Sequence, residues 1–194
     1  EELYEYLDSD LKGLYEVIER FYSWPLIRKS GCKRTIAGQA MQIYRTYLPE
    51  EIPSLNDAVD GFVRSSYFGG RTEIFKPCFR QSNENEILRT YDVNSLYPSV
   101  MLNNEFPTAF SHKTNRYKEH EMGFYDVTVE VPDMYVPPLG YVHQPETWRR
   151  FIFPTGIFRG KWSTIELNYA MSVGVKILKV HEGYIFRNGG FIFK

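Results

Sequence analysis

Residues 87 to 101 constrain the fold of this chain more than any other stretch, because the pattern switches there from extended to helical across one acidic residue. Ile87 to Val93 is a short apolar run after the turn signal Asn83-Glu84-Asn85, which predicts a strand with Asp92 at its exposed carboxyl end. Ser95 is expected as the N-cap of the next helix, with Pro98 tolerated in its first turn, so the N–H groups of residues 95 to 97 should face outward beside the carboxylate. Carboxylates hold hard divalent cations, and N–H groups at a helix start hold phosphate oxygens. The segment therefore suits a metal-bound nucleoside triphosphate. The same spacing also fits a strand, turn and helix in which the aspartate only caps the turn.

Two further segments carry chemistry-bearing residues. Ser66-Tyr67-Phe68-Gly69-Gly70-Arg71 places two glycines between an aromatic and a guanidinium. Without Cβ atoms Gly69 and Gly70 let the backbone approach a partner strand, Tyr67 offers a stacking surface, and Arg71 suits a phosphate. Read alone, the glycines signal a turn. Near the start, Leu7, Leu11, Leu14, Ile18 and Phe21 recur at helical spacing. On that helix Tyr6 and Asp10 lie four residues apart and share a face, with a solvated acidic face as the plain alternative.

The match over Asp92-Val93-Asn94-Ser95-Leu96-Tyr97-Pro98-Ser99 resembles the Asp-x-x-Ser-Leu-Tyr-Pro-Ser motif A of family B DNA polymerases, of the protein-primed organellar, linear-plasmid and viral type. The resemblance implies that Asp92 is catalytic and binds Mg2+ (or Mn2+), with the Val93 carbonyl completing the inner shell. It implies nucleotide binding by Ser95, Leu96 and Tyr97, with the Tyr97 ring beneath the sugar, where it selects deoxynucleotides by excluding a 2′-hydroxyl. Tyr67, Gly69, Gly70 and Arg71 resemble the Tyr-x-Gly-Gly motif that binds single-stranded template between the exonuclease and polymerase domains of such enzymes. Tyr6 and Asp10 resemble the Tyr-x-x-x-Asp exonuclease motif, in which the aspartate is a metal ligand and the tyrosine orients the attacking water. Asp8-Ser9-Asp10 also mimics the Asp-Thr-Asp of motif C, but that motif belongs on a hairpin after motif A rather than on a helix before it.

The resemblance thus implies two-metal phosphoryl transfer, acting on DNA template and primer with deoxynucleoside triphosphates, and in some relatives on a terminal priming protein. The expected organisation is the C-terminal helices of a 3′–5′ exonuclease domain over residues 1–50, a connector over 51–85, and the start of a polymerase palm over 86–194. The expected fold class is α+β with a mixed or antiparallel sheet. No fingers helix, no Asp-Thr-Asp hairpin after motif A and no upstream exonuclease carboxylates are recognisable, so the chain is expected to be a fragment that is inactive alone. The alternatives are a non-catalytic single-strand-binding module and a decayed polymerase remnant.

Composition sets the outer bounds. The 194 residues are 43% hydrophobic and 16% aromatic, enough to bury a core. Net charge is −1, but it is distributed unevenly. Residues 1 to 24 hold seven acidic and two basic side chains, residues 25 to 80 hold nine basic and five acidic, and the remainder balances at twelve of each. Acidic metal-ligand residues followed by a basic segment around the glycine pair fit metal chemistry beside a DNA track. Cys32 and Cys78 are far apart, the histidines show no zinc spacing, and no apolar run reaches membrane-spanning length. A reducing compartment is expected, and the family points to a mitochondrial linear plasmid or to the cytoplasm of a virus-infected cell.

Downstream, Thr35 should cap a helix to about Leu48, and residues 56 to 65 should form a short helix. Arg71 to Phe75 reads as a strand. Tyr125, Val127, Val129 and Val131 alternate with Asp126, Thr128 and Glu130 as a half-buried strand. Phe151 to Phe158 reads as a hairpin turning at Pro154-Thr155-Gly156, with Arg149, Arg150, Arg159 and Lys161 on a solvated face. Ser163-Thr164-Ile165-Glu166 is a capping box opening a helix that ends near Gly174, and Val175 to Val180 and Tyr184 to Phe186 return as strands.

Overall fold

A computed structural model describes residues 2–48, 54–80, 82, 87–144, 150–187 and 189–193. The chain divides into two compact units, Glu1–Ile52 and Pro53–Lys194. The expected turn at residues 83–85, the start of the connector at 51–53 and Arg149 lie outside the described residues.

The first unit is helical. Helix α1 (Glu2–Tyr22) carries the expected apolar stripe, yet buries no residue. Its end is followed by Pro25, which opens α2 (Pro25–Ser30) at the position where a missing N–H costs nothing. Thr35 caps α3 (Ile36–Arg45) by accepting the Gly38 N–H at 3.1 Å. One buried amide organises the junction of α2 and α3. Gln39 accepts from the Lys33 N–H (2.8 Å) and donates to Ser30 Oγ and the Gly31 carbonyl (both 3.0 Å), beside the buried Ile27.

The second unit is α+β. Helix α4 (Asp57–Ser65) starts where Asn56 accepts the Val59 N–H at 3.0 Å. Helix α5 (Leu96–Asn103) follows the Asp92 segment. Strands β1 (Phe110–Thr114), β2 (Gly123–Val131), β5 (Gly156–Ser163) and β6 (Lys176–Phe186) form an antiparallel sheet in the order β1-β6-β2-β5. Strands β3 (Tyr141–His143) and β4 (Arg150–Ile152) form a separate two-stranded ribbon. Helix α6 (Thr164–Ser172) joins β5 to β6. It begins with the reciprocal capping box of Ser163 and Glu166 and is followed by Gly174 in the left-handed region (φ +102°).

The alternation in β2 sorts its apolar side chains as expected, while Asp126 on the other face is buried as well. Tyr125, Val127, Val129 and Val131 are buried with Trp162, Leu167 and Ala170, each fully buried aliphatic side chain contributing about 1.5–3 kcal/mol. On the other face Phe124 packs with Tyr184, Phe186 and the Val59 and Phe62 side chains of α4.

Four local expectations are corrected. Residues 87–93 form no strand, because no described strand pairs with them, and Ile87, Tyr91 and Val93 stay exposed. Arg71 to Phe75 is likewise not a strand. The 151–158 hairpin does not form: β5 pairs with β2 over eight residues, and β4 pairs with β3. The last two strands are one, β6, with register shifts opposite Asp126–Val127 and Thr128–Val129 that leave His181 and Leu178 without a register partner.

Candidate functional site

Asp92 and Val93 close a segment without regular secondary structure, and the chain then turns through Asn94 and Ser95 into α5. Ser95 stands at the N-cap as expected, but its backbone is left-handed (φ 51°, ψ 43°) and its hydroxyl makes no capping bond. Among the described residues it is the one non-glycine with positive φ, a conformation that costs a β-carbon residue of order 1 kcal/mol. The Ser95 carbonyl accepts the Ser99 N–H at 2.9 Å and so closes the first turn, with Pro98 lacking a donor. The N–H groups of Leu96 and Tyr97 precede that bond and have no acceptor among the described residues.

None of this segment's side chains is spent on the fold. Asp92 is exposed and makes no hydrogen bond or ion pair among the described residues, Tyr97 is 76% exposed, and α5 buries no residue although it is apolar all round. The Asp92 carboxylate and the Val93 carbonyl are oxygen donors of the kind a hard divalent cation takes. Among the described residues no group of three His, Cys, Asp or Glu side chains is placed to hold a metal ion. The donors fit such a cation in type. A cavity of about 440 Å³ beside Glu130, Asp133, Thr155 and Lys176 involves none of these residues.

The glycine pair is equally open. Neither Gly69 nor Gly70 has a positive φ, and a Cβ added to either would meet nothing within 4 Å. The fold itself therefore does not demand glycine at these positions. Tyr67 is 82% exposed. Its neighbours turn inward, with Phe68 stacking on Phe151 (centroids 5.3 Å apart, 19° between planes). Arg71 donates from Nη1 to the Pro137 carbonyl (2.7 Å) and from Nε to Glu73 (2.6 Å), and lies 4.1 Å from the centre of the Phe153 ring. Sequence reasoning missed Phe151, Phe153 and Pro137, since only the fold brings them to this segment.

In the helical unit Tyr6 and Asp10 share α1 one turn apart, both exposed, with no hydrogen bond between them. The neighbouring Asp8 pairs with Lys12 at 2.6 Å. The basic residues of the sheet are engaged internally: Arg159 with Asp126, and Lys161 with Ser65 Oγ at 3.0 Å and over the Phe62 ring. Cys32 and Cys78 are free and exposed, and no helix among the described residues is long and apolar enough to cross a membrane.

The antiparallel sheet within an α+β unit is the fold class expected of such a polymerase. The chain belongs to the type B DNA polymerases of the organellar and viral group, whose family model matches residues 1–194. It is 31% identical to a probable DNA polymerase of Neurospora intermedia over 95% of its length, and 28% identical to one of Ascobolus immersus over 95%. Over 55% of its length it is 31% identical to the DNA-directed DNA polymerase of Enterobacteria phage PRD1. The chain spans 20%, 16% and 17% of these relatives, respectively. Phi29 DNA polymerase shares the fold with a TM-score of 0.55 at 18% identity, over 86% of this chain and 32% of that one.

Proposed function

We propose that this chain is the part of a template-directed DNA polymerase that contributes the first metal-binding carboxylate and the nucleotide seat. The observation that carries this reading is the open segment from Asp92 to Tyr97. Among the described residues the Asp92 carboxylate has no partner, the Leu96 and Tyr97 N–H groups have no acceptor, and the hydroxyl of the left-handed Ser95 makes no capping bond.

In this reading Asp92 and the Val93 carbonyl are ligands of Mg2+ or Mn2+. The ion, when bound, supplies charge stabilisation to the 3′-oxygen and the departing pyrophosphate. Ser95 and the N–H groups of Leu96 and Tyr97 bind the triphosphate, and the Tyr97 ring lies under the sugar and leaves no room for a 2′-hydroxyl. Tyr67 and the bare Gly69-Gly70 backbone meet single-stranded template. Tyr6 and Asp10 serve 3′–5′ proofreading, Asp10 as a metal ligand and Tyr6 as the group that orients water. A terminal priming protein is the expected partner at initiation, and a mitochondrial linear plasmid or a virus-infected cell the setting.

One carboxylate per site is too few for two-metal chemistry. Incubated with primed template, magnesium and deoxynucleotides, this chain should therefore give no extension. Extension by the chain alone would overturn the reading of a partial site.

A further inference from the structure

The glycine-pair segment is tied to the sheet core by a continuous run of packed and hydrogen-bonded groups. The buried Trp162 donates its indole N–H to the Gly140 carbonyl at 2.8 Å. Gly140 is itself buried, and the Phe151 ring lies against its bare α-carbon, so a Cβ there would come within 2.6 Å of Phe151 Cε2. Phe68 stacks on that ring, and Gly69 and Gly70 follow. A second tie runs in parallel, from the buried Pro137 carbonyl through Arg71 to the Phe153 ring. Phe151 and Phe153 themselves meet edge to face, with centroids 5.0 Å apart.

We propose that the β3–β4 ribbon positions the Tyr67–Arg71 segment, with Gly140 and Phe151 as the seat and Arg71 as a positioning residue. The inference rests on the reading that Tyr67 and the glycine pair meet single-stranded DNA, and it assigns Arg71 a role other than binding phosphate. Arg71 already has a carbonyl, a carboxylate and an aromatic ring as partners. A guanidinium so placed holds two segments together, and its planar fork is what suits it to do so. Gly140 lacks a side chain because the ring occupies that space. It is buried and carries no charge, yet it governs where Phe151, and with it Phe68, sits.

The test uses the 194-residue chain, a fluorescein-labelled single-stranded oligothymidine, and anisotropy titrations over a series of salt concentrations. If Arg71 bound a phosphate, Arg71→Gln would lower the slope of log affinity against log salt by about 0.7. Positioning predicts instead an unchanged slope with affinity weakened about three- to tenfold, and the same weakening in Gly140→Ala and Phe151→Leu. A reduced slope in Arg71→Gln, or full affinity in both uncharged variants, overturns the inference. If the unmodified chain does not bind the oligonucleotide, the single-strand reading of the segment fails. Backbone 15N relaxation then decides the inference separately: the Gly69 and Gly70 amides should lose order in Gly140→Ala, and unchanged order contradicts it. If Gly140→Ala does not melt cooperatively, Phe68→Leu takes its place in both measurements.

Discussion

Arg159 grips Asp126 with two parallel hydrogen bonds, Nε to Oδ1 at 2.7 Å and Nη2 to Oδ2 at 2.8 Å, from β5 to β2 on the face opposite α6. The carboxylate is 12% exposed, whereas the guanidinium reaches solvent. Burial alone would raise the Asp126 pKa, but the Arg159 hydrogen bonds and charge outweigh it, with help from Lys161 and His181, and hold it below the usual carboxylate range.

The sign of the resulting pH dependence follows. A group whose folded pKa lies below its unfolded value, about 3.9 for aspartate, stabilises the fold above that value and loses its contribution as pH falls through the folded one. Glu182 behaves alike, held low chiefly by its hydrogen bond from Lys113. Thermal melts between pH 7 and pH 2 should therefore show stability falling below about pH 4, and Asp126→Asn should flatten that fall without abolishing it. A variant curve parallel to the parent's would refute the assignment.

The two aspartates of this unit should behave oppositely on truncation. Asp92 has no partner among the described residues, so Asp92→Ala should change unfolding free energy by less than about 0.5 kcal/mol, as for a free surface position. Asp126→Ala strands a bonded arginine and should destabilise clearly. Urea unfolding of the pair checks this; a large effect at Asp92 would mean that the fold uses it.

Trp162 is fully buried, opposite Tyr125. Replacing it by alanine should cost about 3–5 kcal/mol. Trp162→Phe keeps most of the volume but leaves the Gly140 carbonyl without its donor, which by itself costs about 1–3 kcal/mol. Equal destabilisation by the two variants in chemical denaturation would argue against a role for the indole N–H.

Ser163 caps α6 and donates to Glu166 in return. Ser163→Ala should cost about 1 kcal/mol and Ser163→Asp much less, because aspartate also caps well. Circular dichroism melts of the three proteins decide it.

The elements legible in the sequence are those defined by local chemistry. Thr35 and the Ser163–Glu166 box announce their helices, and the period-two alternation from Tyr125 to Val131 announces a half-buried strand. What misled was pairing. Pro154 and Gly156 (φ +95°) look like the corner of a hairpin, but β5 finds eight partners on β2, which lies 25 or more residues away in sequence. Residues 87–93 have a strand's composition, yet a strand exists only with a partner.

The candidate site divides in the same way. Asp92, Tyr97 and Tyr67 are exposed, and their spacing made them visible as candidates. The inward turn of Phe68 and Arg71 was not visible, because Phe151, Phe153 and Pro137 stand 66 or more positions away along the chain. The left-handed Ser95 was hidden too, since serine is expected to cap with an extended backbone.

The most direct test of the central claim is a titration of the 15N-labelled chain with magnesium and 2′-deoxyadenosine triphosphate, followed by amide chemical shifts. The account predicts shifts confined to residues 92 to 97, weaker with the ribonucleotide and abolished in Asp92→Asn. Shifts centred elsewhere, or a response indifferent to Asp92, would contradict it.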